Sequence, residues 1–398
     1  MARRKHRLTA DISLHRESQV RGIATRKSPL AMWQAEQTAQ HLRAMGVDTE
    51  IIGTETSGDR IQNTLLSQTQ LAQSSAVPHH VTTGKGLFIK EVQDLILNGR
   101  CHMAVHSMKD LPVTQTPGLV LAGFLPAGPV RDVLVFAPDK APQPLASRAL
   151  DASWFAGRGS IGTTSMRRQA LLNTVGLAGV PTAILRGNVA TRLGRLAEGH
   201  FSAIVLAEAG LRRLGLFDSR CMTTLDETIF IPACAQGVVG IETRADDSDL
   251  TSAIFKATEP HTALRIALER LVLDLLGGDC NSIIGIHCSG LMRLETKDGI
   301  VGSRLHVFTA THDFASMHST HLVLEDSRTS VDSDTQHTAS AILQWSKQVH
   351  AELGQYRSFT ELFSAAQHHA PLVDALRHHL TRHGHQADVT AIPPKMST

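Results

Sequence analysis

Apolar and polar positions alternate in a regular order from about Arg21 to about Phe255. Gly22-Ile23-Ala24-Thr25 reads as a short strand. Ser28-Pro29 then opens a helix, because Ser caps free N–H groups and Pro suits a first helical turn. Thr49 to Thr54 reads as the second strand. Gly86 to Asn98 has the spacing of an amphipathic helix, which Gly99 ends. Ala104 to His106 follows as a strand, and Pro112 stops regular structure soon after it.

A second set of the same kind begins near Arg131. Its strands are Asp132 to Phe136, Ser160-Ile161-Gly162, Ala183-Ile184-Leu185 and Ala203 to Leu206, and Pro138 to Pro144 is a loop. Strands alternating with helices predict mostly parallel sheets covered by helices. Two such sets predict two lobes and a cleft, a favoured place for ligands. Thr262 to Leu276 places Leu264, Ala267, Leu268, Leu271 and Leu275 on one helical face, and Gly277-Gly278 ends it. Alternation in Leu305 to Phe308 and His321 to Leu324 predicts a third, smaller α+β unit.

Two segments break the pattern. Ser67 to Thr83 is polar and long enough for a mobile loop. The tail from about Arg357 carries His368, His369, His378, His379, His383 and His385. Such tracts bind metal in some proteins, but no Cys or carboxylate completes a ligand set, so a solvated helical tail is expected and no metal.

Composition narrows the class. Aromatic residues make up only 4% of the 398, so Leu, Val, Ile and Ala must fill the cores. A net charge of +2 gives no general reason to expect nucleic acid as a partner. The cysteines are Cys101, Cys221, Cys234, Cys280 and Cys288. Their odd number and long spacings fit a reducing compartment and offer no zinc site. The basic start, Met1 to Arg7, lacks the apolar run of a secretory signal. No stretch approaches the roughly 18 apolar residues of a membrane helix. A soluble, cytoplasmic protein is expected.

The chemistry concentrates at predicted strand ends, where open α/β sheets bind ligands. Ser107-Met108-Lys109-Asp110 puts a carboxylate beside an ammonium at one such end; a solvated turn with a surface ion pair has the same sequence. Three further turns set Arg beside small hydroxyl residues: Thr25-Arg26-Lys27-Ser28, Thr163-Thr164-Ser165-Met166-Arg167-Arg168 and Arg186-Gly187-Asn188 through Arg192. Leu211-Arg212-Arg213 adds a fourth basic group. Helix N-termini bind anions, and guanidinium grips carboxylate or phosphate through two parallel bonds. No phosphate-binding glycine loop is present. The implied ligand is a polyanion, for which several carboxylates fit at least as well as phosphates. Cys280, in Gly277-Gly278-Asp279-Cys280-Asn281, is a loop thiol that could be alkylated or could be a small buried hydrophobe.

Six stretches, ATRKSPLAMWQAE (24–36), TGKGLFIKEVQDLILNGRCHMAVHSMKDLP (83–112), IGTTSMRRQ (161–169), LRGNVATRL (185–193), AEAGLRRLGL (207–216) and ACAQGVVGIETR (233–244), together closely resemble the porphobilinogen deaminase (hydroxymethylbilane synthase) family. The resemblance spans about Val20 to Gly285. It implies an α/β fold with two doubly wound domains resembling type II periplasmic binding proteins, plus a small α+β C-terminal domain. It divides the chain into a basic leader (1–19), domain 1 (20–126 and 238–256), domain 2 (130–232), domain 3 (260–355, with an attachment loop at 277–285) and a His-rich extension (356–398). It implies head-to-tail condensation of four porphobilinogen molecules, with release of ammonia, to the linear tetrapyrrole hydroxymethylbilane. The growing chain is then tethered to a dipyrromethane cofactor through a thioether at Cys280. Ser107, Lys109, Thr163, Ser165, Arg167, Arg168 and Arg192 are implied to hold the cofactor. Arg26, Ser28, Arg186 and Arg213 are implied to serve substrate carboxylates, and Asp110 to be catalytic. A monomer is implied, with its product passed to uroporphyrinogen-III synthase.

The chain departs from the family pattern at four places. Asp279 precedes the cysteine where Gly is usual, Ile283 stands where Pro is common, Ala235 replaces a usual Gly, and the Ser67 to Thr83 segment is long. An Arg-lined two-lobed cleft would also suit a carboxylate-binding protein without catalysis.

Overall fold

Each of the two larger sheets contains one strand that runs against all the others. The computed structural model describes residues 20–56, 89–145, 150–278, 282–289, 303–311, 313–324 and 333–385. The first ten strands are β1 (Arg21–Arg26), β2 (Thr49–Thr54), β3 (Met103–Ser107), β4 (Leu119–Phe124), β5 (Asp132–Val135), β6 (Ile161–Gly162), β7 (Thr182–Ala183), β8 (Ala203–Ala207), β9 (Met222–Thr224) and β10 (Val239–Arg244). The first sheet has the order β2-β1-β3-β10-β4 and the second β7-β6-β8-β5-β9.

The two larger sheets are mostly parallel, as expected, with β10 and β5 the exceptions. β1 pairs in parallel with β2 and β3, but β10 is antiparallel to β3 and β4. β6 pairs in parallel with β7 and β8, but β5 is antiparallel to β8 and β9. The crossovers between lobes explain this. β1, β3, β6 and β8 run toward the cleft, and the crossovers lie there. The strand that follows each crossover starts at the cleft and must run away from it. The crossovers touch at Gly128 and Gly237, where the Gly128 N–H donates to the Gly237 carbonyl at 3.0 Å. Gly237 has φ +86, and a Cβ there would lie 2.7 Å from the Gly128 and Pro129 carbonyl oxygens. Only glycine fits that approach.

Helices start where the hydroxyl and amide residues predict. The Ser28 Oγ accepts from the Ala31 N–H, the Ser165 Oγ from the Arg168 N–H, and the Asn188 Oδ1 from the Thr191 N–H. These caps sit at the cleft ends of β1, β6 and β7, so the following helices aim their N-termini at one space.

β11 (Ile284–Ser289), β12 (Ser303–Ala310) and β13 (Met317–Leu324) form an antiparallel third sheet. Helices Pro260–Leu275, Ser333–Glu352, Phe359–Gln367 and Ala370–Arg382 share its core. The solvated tail expected beyond Arg357 is therefore not what residues 359–382 form. Phe359, Leu362, Phe363, Ala366, Leu372, Val373, Leu376 and Leu380 are all buried in that core. Their three- and four-residue spacing is amphipathic, a signal masked by the many histidines between them. Ile283, at the family's usual Pro, is buried in the apolar cluster that contains Phe230, Ile231 and Phe308. The leader, the Ser67 to Thr83 segment, Asp279 and Cys280 lie outside the described residues. No helix among the described residues is long and apolar enough to cross a membrane.

Candidate active site

A cavity of about 270 Å³ lies between the lobes. The first lobe lines it with Arg26, Ser28, Ser107, Lys109 and Asp110, and the second with Arg168, Arg192 and Arg213. Ser107 ends β3, and the short turn Met108–Asp110 then carries Lys109 and Asp110 into the cleft. The turn closes with the Leu111 N–H donating to the Met108 carbonyl. Asp110 is exposed to the cavity, whereas Met108 on the same turn is buried. One turn thus anchors itself by Met108 and presents its carboxylate.

The floor of the cleft is a buried charge network. Asp132 is wholly buried and accepts from Arg167 Nη2 at 2.7 Å and Arg168 Nη2 at 2.8 Å. Gln236 donates to the same carboxylate at 3.0 Å and accepts from Lys109 Nζ at 3.2 Å. Arg167 also donates to the Ile231 carbonyl and Arg168 to the Val205 carbonyl. Burial acts to raise the Asp132 carboxyl, but Arg168, Arg167 and Lys109 together hold it well below the usual carboxylate range. Lys109 reaches the cleft surface between dense walls. Burial, with Arg168 adding to it, pushes its ammonium down to about 8, while Asp110 and Asp132 oppose the shift. Burial pushes Arg192 and Arg213 down to about 10 each, and Asp110 acts against the shift at Arg192. Asp110 therefore lies within electrostatic reach of a cation from each lobe.

Other groups shape the walls. Gln34 is buried and donates to the Ser107 Oγ at 2.9 Å. Arg192 Nε donates to the Gly187 carbonyl at 2.8 Å. Arg213 donates to the Gly237 carbonyl at 2.6 Å and lies over the Trp33 ring of the opposite lobe. A second cavity of about 70 Å³ adjoins the first and shares Lys109 with it. Ser165, Arg167, Cys234, Arg270 and Ser282 also line it. Burial, with Glu269 adding to it, raises the Cys234 thiol, so that group is no ready nucleophile.

Of the residues expected at the site, Arg26, Ser28, Ser107, Lys109, Asp110, Arg168, Arg192 and Arg213 share the larger cavity. Ser165 and Arg167 line the smaller one. Thr163 and Arg186 line neither. The Thr163 Oγ1 instead accepts from the Ser165 N–H at 3.2 Å and shapes the turn. Sequence pattern did not single out Gln34, Asp132, Gln236 or Arg270. The one available signal was Asp132 at the head of the apolar strand Val133 to Phe136, a place that calls for a buried partner.

Residues 22–252 match the family model described as porphobilinogen deaminase, dipyromethane cofactor binding domain. The chain is 37% identical to a porphobilinogen deaminase of Burkholderia vietnamiensis, over 70% of this chain and 78% of that protein. It is 39% identical to one of Chromobacterium violaceum, over 70% and 83% respectively. It is 40% identical to one of Acidithiobacillus ferrooxidans, over 65% and 77%.

Proposed function

The chain belongs to the porphobilinogen deaminase family, and from that premise we propose that the cleft holds a pyrrole chain by its carboxylates while Asp110 promotes each condensation. The reaction joins four porphobilinogen molecules head to tail with loss of one ammonia from each, and water then cleaves the tetrapyrrole from the anchor and supplies the hydroxyl of hydroxymethylbilane. The observation that carries the proposal is that one exposed carboxylate, Asp110, shares a single cavity with cations from both lobes.

The residues present fit a dipyrromethane bearing acidic side chains. The donor set is cationic, and the buried Arg168 Nε has no hydrogen-bond partner among the described residues. It is a donor placed where a carboxylate can accept. Bound, the cofactor supplies the anchor from which the pyrrole chain grows. Lys109, Ser165 and Arg167 would hold it in the smaller cavity, with Ser107, Arg168 and Arg192 beyond them; Thr163 would act through its bond to the Ser165 N–H. Ser282 and Gly278 flank the segment that contains Cys280, and Ser282 lines the smaller cavity. That supports Cys280 as the attachment point. Arg26, Ser28 and Arg213 would take substrate carboxylates in the larger cavity, and Arg186 would serve from the turn before Asn188.

Loss of ammonia from the aminomethyl group of porphobilinogen leaves a cationic methylenepyrrolenine. The Asp110 carboxylate accepts the pyrrole N–H bonds and stabilises that charge, a role worth about 10²–10³ in rate for one fixed group. Lys109 and Arg192, held by Gln236 and the Gly187 carbonyl, leave their charges near the carboxylate for the acidic side chains of the pyrroles. Asp110→Asn should leave the fold intact and lower kcat by at least roughly 10²-fold. Normal turnover in that variant would remove Asp110 from its role.

The division into domains at 20–126 with 238–256 and 130–232 is supported by the first two sheets, and the third domain, expected at 260–355, extends to include helices Phe359–Gln367 and Ala370–Arg382, which share its core. A monomer is proposed from the family, and sedimentation tests it. The free thiols Cys101, Cys221, Cys234 and Cys288 support a reducing, cytoplasmic setting. Hand-over of the open-chain product to uroporphyrinogen-III synthase is proposed from the family.

A further inference from the structure

We propose that Arg270 is a positioning residue for the Asp110 turn, and that helix Phe359–Gln367 holds Arg270 in place. The inference rests on the catalytic role given to Asp110. The residues after Asp110 form no regular structure until β4 begins at Leu119. Their carbonyls would otherwise be free to shift. Arg270, on helix Pro260–Leu275, donates to three of them in succession: Leu111 at 3.4 Å, Pro112 at 2.6 Å and Val113 at 3.1 Å. A planar guanidinium makes these bonds as one rigid unit, which an ammonium cannot do. Arg270 is almost fully buried, so water does not compete for the carbonyls.

Helix Phe359–Gln367 supports this clamp from behind. The Phe363 ring lies under the Arg270 guanidinium, 5.7 Å from its centroid, and stacks on Phe359. Phe359 in turn packs edge-on against Phe124 of β4 at 4.6 Å. The Thr360 Oγ1 accepts from the Leu121 N–H at 3.0 Å and from Gln115 Nε2 at 2.8 Å. Gln367 Nε2 donates to Asp274 on the helix that carries Arg270, at 2.8 Å. One short helix therefore holds the segment from Leu111 to Leu121 both directly and through Arg270. It lies beyond the 22–252 segment that matches the family model. A catalytic carboxylate needs such a fixed seat, because a displacement of about 1 Å can cost ~10²-fold in rate.

The test uses cofactor-loaded enzyme and porphobilinogen. Phe363→Leu keeps an apolar filler and removes the ring; Arg270→Lys keeps the charge and removes the fork. Each should lower kcat on the order of tenfold while KM stays within about twofold. Leu376→Ala, in helix Ala370–Arg382, removes a buried side chain without touching these ties. It should lower thermal stability and leave kcat unchanged. If Phe363→Leu fails to fold, the comparison of Arg270→Lys with Leu376→Ala carries the test. Wild-type kcat in Arg270→Lys, or an equal kcat loss in Leu376→Ala, would overturn the proposal. Failure of the wild-type enzyme itself to release ammonia would instead overturn the functional reading.

Discussion

Arg168 and Asp132 meet across the buried floor of the cleft, with Nη2 2.8 Å from Oδ1. Asp132 heads β5, and Arg168 lies in the first turn of the helix that follows β6. Asp132 is also shared with Arg167, so one carboxylate fixes two guanidinia.

Asp132→Asn should therefore leave two buried cations without a counter-charge. Removing one partner of a buried pair costs about 3–5 kcal/mol. Urea unfolding of the two proteins measures this, and a loss under about 1 kcal/mol would contradict it. The sign of the pH effect follows from the depressed carboxyl. Stability from Asp132 is present above its ordinary value of 3.8 and is lost as pH falls toward its lower folded value. The variant should lack that acid step.

Lys109 titrates on the alkaline side. Burial, reinforced by Arg168, puts its ammonium at about 8, below its ordinary 10.5. Charging it costs the folded state, so its contribution is fully present above 10.5 and declines as pH falls toward 8. In cofactor-free protein with ¹³C-methylated lysines, one NMR resonance should titrate near 8 and vanish in Lys109→Arg. Lysine resonances that all titrate near 10.5 would contradict the buried site.

The strands at the cleft were readable because each ends abruptly in small polar or basic residues. Thr49–Thr54 has its expected bounds, and Met103–Ser107 differs by one residue at each end. β4 and β10, and the reversed direction of β5 and β10, were not readable. Strand direction depends on which lobe the chain has just left, and no local pattern records that. The cavity residues were visible because Arg and hydroxyl residues recur at four turns. Asp132 and Arg270 were not, since each follows an opposite charge, Arg131 and Glu269, and its actual partners appear only after folding. The C-terminal segment was readable as helical, but its burial was masked by the histidines between its apolar positions.

Histidines on β12 and β13 and just past the last helix make the third unit sensitive to acid. His306 and His321 face each other on adjacent strands, Nδ1 to Nδ1 at 2.6 Å. Such a contact needs at least one neutral ring to accept, so it is lost when both rings are charged. Burial, with His321, His287 and Arg304 adding to it and Asp226 opposing, takes His306 to about 4. Burial, with His318, His383 and His379, takes His385 to about 4. Stability from these groups is present above their ordinary 6.5 and is lost as pH falls through about 4. Fluorescence of the buried Trp345 should report a midpoint that falls over this range. His385→Asn should flatten part of the fall, and an unchanged profile would contradict its share.

Ala235 occupies the left-handed region at φ +58, with its N–H donating to Glu269 Oε2 at 2.7 Å. That conformation costs a non-glycine residue about 1–2 kcal/mol. Glycine would relieve it but lose a buried methyl worth about 0.8 kcal/mol and about 0.4–1 kcal/mol of unfolded-state entropy. Ala235→Gly should change stability by less than about 1 kcal/mol, whereas Ala235→Val should destabilise sharply. Equal losses in both variants, measured by denaturant midpoint, would contradict this account.

The proposed site needs a covalent pyrrole anchor attached at Cys280. Intact-protein mass spectrometry of enzyme from cells that make porphobilinogen tests it most directly. The wild-type chain should carry the added mass of two linked pyrrole units, and Cys280→Ser should carry none. An unmodified wild-type mass, or the same added mass on Cys280→Ser, would contradict the account.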